Sequence, residues 1–116
     1  MSVKPGLGPK EIAILHYQLM MENNQEEWLK TIMKQRIGIS SNAWWKTGRK
    51  YIDKKGWSYK FRHEDDRPMF HKEDSRKFFF YRLNEKGEEQ GAGPVPVIVN
   101  KDPDNNDEWR VKVSSW

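Results

Sequence analysis

An α+β fold, with three helices followed by a small antiparallel sheet and a C-terminal β-hairpin, is predicted by three observations. Apolar residues recur at helical spacing through the first half of the chain. That period gives way to strict alternation at Trp57, and Gly38, Gly56 and a late cluster of turn residues punctuate the pattern. With 116 residues, 35% hydrophobic, 33% charged and 13% aromatic, the chain suits one modest core built largely from big rings.

The elements follow in order. Residues 1–8 read as a flexible tail. From Pro9, a favoured first-turn residue, Ile12, Leu15, His16, Leu19 and Met20 recur at helical spacing. Asn23 or Asn24 ends that helix or caps the next, whose pattern is Trp28, Leu29, Ile32, Met33 and Ile37. Glu26 and Glu27 stand in its first turn, where they suit the helix dipole, and Gly38 stops it. Ser40 or Ser41 can cap a third helix that runs to about Lys55, with Gly56 as its C-terminal stop.

In "WSYKFR", Trp57, Tyr59 and Phe61 alternate with polar residues, which predicts a half-buried strand. "HEDDRPMFHKEDS" has no period and reads as a loop. "RKFFFYRL" is a second strand, with Phe79, Tyr81 and Leu83 on one face and Phe78 and Phe80 on the other. The first set is expected to lie opposite Trp57, Tyr59 and Phe61. "NEKGEEQGAGP" is a short turn or linker. "VPVIV" and "EWRVKV" form a last hairpin around "NKDPDNND", with Pro96 restricted to an edge position. Trp109, Val111 and Val113 alternate with Glu108, Arg110 and Lys112, so one face of this hairpin must be covered. It is expected to extend the sheet or to form a homodimer interface, with Phe78 and Phe80 as outward contacts.

Several function classes drop out. There is no cysteine, hence no disulfide, thiolate metal site or cysteine nucleophile. "MSVKPGLGPK" lacks a signal-peptide core and no apolar run approaches membrane-spanning length, so a soluble, cytoplasmic protein is expected. Residues 63–74 offer His63, Glu64, Asp65, Asp66, His71, Glu73 and Asp74, but without helical spacing or any fixed ligand pattern. "DPDNNDE" begins like a calcium loop and then places Asp107 where glycine is needed and Val113 where the bidentate glutamate belongs. His16 sits on the patterned face of the first helix, as a core histidine does. No catalytic constellation emerges, and no cofactor or metal is expected.

Charge is unevenly spread. Residues 42–62 carry seven cationic side chains (Lys46, Arg49, Lys50, Lys54, Lys55, Lys60 and Arg62) against one carboxylate, Asp53. That stretch alone exceeds the net charge of +4 of the whole chain. Such concentration is what a phosphate-binding surface requires.

Three helices followed by two strands joined by a long charged loop is the order of a winged helix-turn-helix, and the residues resemble one over roughly 10–90. "KTIMKQRIGISSNAWWKTGRKYI" resembles a helix-turn-helix with Gly38 at the turn. "IDKKGWSYKF" is similar to the end of the recognition helix and first wing strand of MarR- and PadR-like transcriptional regulators. "EDSRKFFFYRLNEKGEE" resembles their second wing strand, with Lys34 and Asn84 departing from the usual alanine and threonine. The resemblance implies a winged-helix domain over residues 9–90, a linker and hairpin over 91–116 packed on it, and double-stranded DNA as partner.

It also assigns faces to the third helix, since residues three and four apart share a face. Trp44, Gly48, Tyr51 and Ile52 would face the bundle, with Gly48 permitting a close neighbour. Ser41, Asn42, Trp45, Lys46, Arg49 and Lys50 would face a major groove, with Lys54 extending the cationic row. Equally compatible is the opposite choice, Trp45 buried and Trp44 exposed. Arg76 and Lys77, beside the wing strand, are the wing candidates for phosphate contact. Two alternatives stay open: a winged helix used for protein–protein interaction, and an RNA or single-strand binder stacking bases on Phe78, Phe80 or Trp45.

Overall fold

Helix α1 (Pro9–Met21) starts where the proline predicts, and the Glu11 carboxylate accepts the Gly8 N–H at 3.0 Å. The computed structural model describes all 116 residues, and in it α1 is the element around which the rest is built. Ile12, Ala13, Leu15, His16, Tyr17, Leu19 and Met20 are all buried, which leaves almost no solvent face on its second and third turns.

Helix α2 is shorter than its apolar pattern predicts. It spans only Gln25–Leu29, capped by the Asn24 side chain, which accepts the Glu27 N–H. Beyond it the chain leaves the helix and runs beside the last strand. The Val111 N–H donates to Thr31 O at 2.7 Å and the Met33 N–H to Val111 O at 3.0 Å. Trp28 and Ile32 are both buried, so their spacing satisfied a helical pattern although one belongs to a helix and the other to a strand-like segment. The β-branched Thr31 and Ile32 suit that segment.

A 3-10 turn at Lys34–Arg36 follows, its first N–H held by the Asp102 carboxylate at 2.9 Å. Nine residues thus separate α2 from α3 (Ile39–Lys55), where a helix-turn-helix uses three or four. Gly38, at φ +132°, caps α3. The Ser41 hydroxyl reaches back from the first turn, accepting the Gly38 N–H at 2.8 Å and donating to Gly38 O at 3.2 Å. Gly56, left-handed at φ +65°, ends α3 as expected, with the Gly56 and Trp57 N–H groups donating to Ile52 O and Tyr51 O. Gly48 also has the role its spacing implied. A Cβ there would lie 2.9 Å from Met20 Cε and 3.1 Å from the Trp116 ring, so α1 and the C-terminus approach α3 over bare backbone.

Strands β1 (Ser58–Glu64), β2 (Ser75–Leu83), β3 (Val95–Asp102) and β4 (Glu108–Val113) form one antiparallel sheet in sequential order. The expected pairing of residues 57–61 with 79–83 is present, from Ser58↔Leu83 to Phe61↔Phe80. The expected faces are reversed on β2. Phe61 pairs with Phe80, so Phe78 and Phe80 join Tyr59 in the core, while Phe79, Tyr81 and Leu83 lie half-buried on the outer face. A shift of one residue exchanges the two faces of a strand. Phe78 and Phe80 are therefore not available as dimer contacts or as stacking platforms.

The hairpin extends the sheet, β3 pairing with β2 from Ser75↔Asn100 to Phe80↔Val95. Pro96 is tolerated because β4 pairs only from Ile98 onward, which leaves the start of β3 a local edge. The expected alternation on β4 breaks in mid-strand, where the adjacent Arg110 and Val111 are both buried, and Val113 at its end is exposed. The N-terminal residues, expected as a flexible tail, are tied down. The Val3 N–H donates to the Glu27 carboxylate at 3.2 Å and the Gly6 N–H to that of Glu108 at 3.1 Å. The architecture is thus α+β, with α1 laid against a four-stranded antiparallel sheet and α3 packed on α1, and no helix is long and apolar enough to cross a membrane.

Candidate nucleic-acid interface

The cationic stretch resolves into two sets of side chains. Asn42, Lys46, Lys50 and Lys54 are exposed at four-residue intervals, which places them in one row along α3. At a rise of about 1.5 Å per residue the row is about 18 Å long. None of the three lysines is within ion-pair distance of a carboxylate. The helix's one acid, Asp53, is taken by Arg49, whose Nη2 donates to it at 2.6 Å.

Arg49 itself is turned inward. Its side chain is 16% exposed, and Nη1 donates to Met20 O at 2.7 Å and more weakly to Met21 O at 3.4 Å. It therefore caps the C-terminal carbonyls of α1, a cation at the negative end of a helix. The expected base-reading role is displaced by that structural one. Ser41 is likewise consumed, buried at 1% exposure in the Gly38 turn.

Both tryptophans are half-buried, so the expected division into one core ring and one free ring does not occur. Trp45 packs on the buried Trp28 at 5.1 Å between ring centroids, and Trp44 also lies against the core. Adjacent residues are about 100° apart on a helix, so a neighbouring pair can straddle the boundary of a buried face. Lys55 lies over the Tyr51 and Trp57 rings, at 5.2 and 4.7 Å from their centroids.

Three cations in and beside the loop between β1 and β2, Arg67, Arg76 and Lys77, are engaged within the fold. Arg76 pairs with Glu64 at 3.2 Å and donates its Nε–H to Lys72 O. Lys77 is near Asp65 at 4.0 Å and lies over the Phe70 ring at 4.0 Å. Arg67 grips Asp65 through Nε and Nη2, at 3.0 and 2.7 Å, and holds its carboxyl down to about 2 against the opposing effect of burial. Asp66, Glu73 and Asp74 are left exposed without an ion pair. Arg76 and Lys77, expected to touch phosphate, thus sit in internal contacts beside uncompensated acids.

Two cations that the sequence counted without assigning a role are exposed on β1, Lys60 and Arg62, the latter 5.6 Å from the Tyr81 ring centroid. The alternation of β1 was enough to place both side chains on the face opposite Tyr59. The chain matches no protein-family model and no curated protein sequence.

Proposed function

We propose that the protein is a non-catalytic, double-stranded DNA-binding protein that contacts the phosphate backbone through the exposed face of α3. The observation that carries this is the row Lys46, Lys50 and Lys54, one turn apart and unpaired, on a helix whose single acid is taken by Arg49. Such a row places three cations where they can displace counterions from a duplex. The side chains suited to bidentate base reading are mostly consumed: Arg49 caps α1, and only Asn42 stays exposed near the helix start. Binding of this kind is governed by charge and is weakly dependent on sequence. It keeps the third helix as the DNA-contacting element without the tight turn of a winged helix-turn-helix.

The test is the affinity for a mixed-sequence duplex over a series of salt concentrations. Changing Lys46, Lys50 and Lys54 together to glutamine should flatten the dependence of log K on log salt by about 2.7. Lys101→Gln with Lys112→Gln, at the far end of the chain, should leave it nearly unchanged. Equal losses from both sets would show diffuse attraction, and no duplex binding by the parent protein at low salt would refute the proposal. A single-stranded oligonucleotide in the same titration separates the second reading. That reading is favoured by Phe79 and Tyr81 on the outer sheet face, with His63 stacked on Phe79 at 5.1 Å.

A further inference from the structure

Away from α3, a cavity of about 510 Å³ lies between the N-terminal residues, the segment after α2 and the tip of the β3–β4 hairpin. That volume falls in the range of sites for small organic molecules, roughly 300–1,000 Å³. Its apolar lining comes from Val3, Leu29, Ile32 and Ile37, the last 48% exposed although nothing polar recommends its position. Arg110 closes one side, with Lys34 beside it.

Arg110 is the unusual group. It is 6% exposed, yet no carboxylate lies within ion-pair distance and its only hydrogen bond runs from Nη1 to the Trp109 carbonyl at 2.7 Å. Nε is buried without a partner. The two acids that lean on it electrostatically are spent elsewhere. Asp102 accepts the Lys34 and Asp104 N–H groups at 2.9 and 3.0 Å, and Glu108 accepts the Gly6 N–H. Burial pulls the guanidinium below its ordinary range, opposed by the charges of Glu108 and Asp102. A buried cation without a paired anion is costly in a fold and is an attractive position for a bound one.

We propose that this cavity binds a small carboxylate with an apolar body, the carboxylate on Arg110 and the body against Val3, Leu29, Ile32 and Ile37. With Nη1 committed to Trp109 and Nε enclosed by the fold, Nη2 is the guanidinium donor left for a ligand, and a charged N–H suits a carboxylate oxygen. Lys34, exposed at the rim, adds positive potential at the entrance. The site is independent of the α3 lysines.

The probes are 4-phenylbutyrate and its neutral amide, 4-phenylbutyramide, titrated by calorimetry and by backbone-amide NMR shifts. The acid should bind at least about tenfold more tightly than the amide. Shifts should be confined to residues 3–5, 29–37 and 105–110. Arg110→Met, which keeps the aliphatic bulk, should remove the preference for the acid. Ile37→Ser, at an exposed position outside the core, should weaken acid and amide alike, and it keeps the test decisive if Arg110→Met fails to fold. The triple lysine variant of α3 should bind the acid as the parent does. Equal binding of acid and amide, no binding of either, or shifts centred on α3 would each overturn the proposal.

Discussion

Lys50→Gln separates what the lysine row costs the fold from what it does for binding. Lys50 stands between Lys46 and Lys54 and makes two like-charged i,i+4 pairs, each destabilising by about 0.2–0.5 kcal/mol in a helix. Glutamine has nearly the helix propensity of lysine, so the substitution removes charge and little else. Stability should rise by about 0.4–1 kcal/mol at low salt. In a domain of this size that is a gain of roughly 2–5 °C in Tm, and it should fade at high salt as the repulsion is screened. Affinity for duplex DNA should move the other way, with the salt slope flatter by about 0.9. Thermal unfolding at two salt concentrations and fluorescence anisotropy against a labelled duplex measure both. A variant that loses stability would show that Lys50 is held by contacts within the fold. A variant more stable and unchanged in salt slope would show that the row does not meet phosphate.

Arg49→Met should behave in the opposite sense. Losing the charged donor to Met20 O and Met21 O should cost about 1.5–3 kcal/mol in urea unfolding, while the salt slope for duplex binding stays that of the parent. His16 makes stability depend on pH. Its imidazole, bonded to the Thr31 and Ser114 hydroxyls at 2.7 and 2.9 Å, is pushed down to about 3 by burial, from its ordinary 6.5. Between those values the unfolded chain binds the extra proton. Stability should therefore be full above pH 6.5 and fall on acidification by on the order of 1.4 kcal/mol per pH unit. Urea midpoints measured from neutral pH down to about pH 4 should show that slope, flattened in His16→Gln. Trp116 closes the core against His16, Tyr17 and Tyr59, at 5.5, 5.0 and 5.5 Å between ring centroids. Trp116→Ala should cost about 3–5 kcal/mol, checked by equilibrium unfolding. A loss below about 1 kcal/mol would mean the C-terminus is peripheral.

The amino-acid sequence by itself determined the parts of this protein whose cause is local. Pro9 and the apolar spacing behind it set the start and buried face of α1, and Gly56 set the end of α3, because proline and glycine restrict or free the backbone wherever they stand. The alternation in residues 57–62 placed β1, since a period of two is the repeat of a pleated strand and of no helix, and the aromatic run in residues 76–83 placed β2 as its partner. The exposed lysine row was also legible, its spacing being enough to align it on one side of a helix. Only the tertiary structure decided what lay across the chain. Apolar rings on both faces of β2 left its buried side to the register with Phe61, and the end of α2 was decided by Val111 drawing Thr31 and Met33 into strand pairing. Arg49 looked like a DNA contact until α1 brought it carbonyls 29 positions away. Arg110 looked like a solvent-facing strand residue, yet it is 6% exposed beside a cavity that the N-terminal segment helps to line, that segment being held by a hydrogen bond spanning 102 positions. A charged side chain takes its role from the nearest group of opposite polarity, and in both arginines that neighbourhood is assembled by folding.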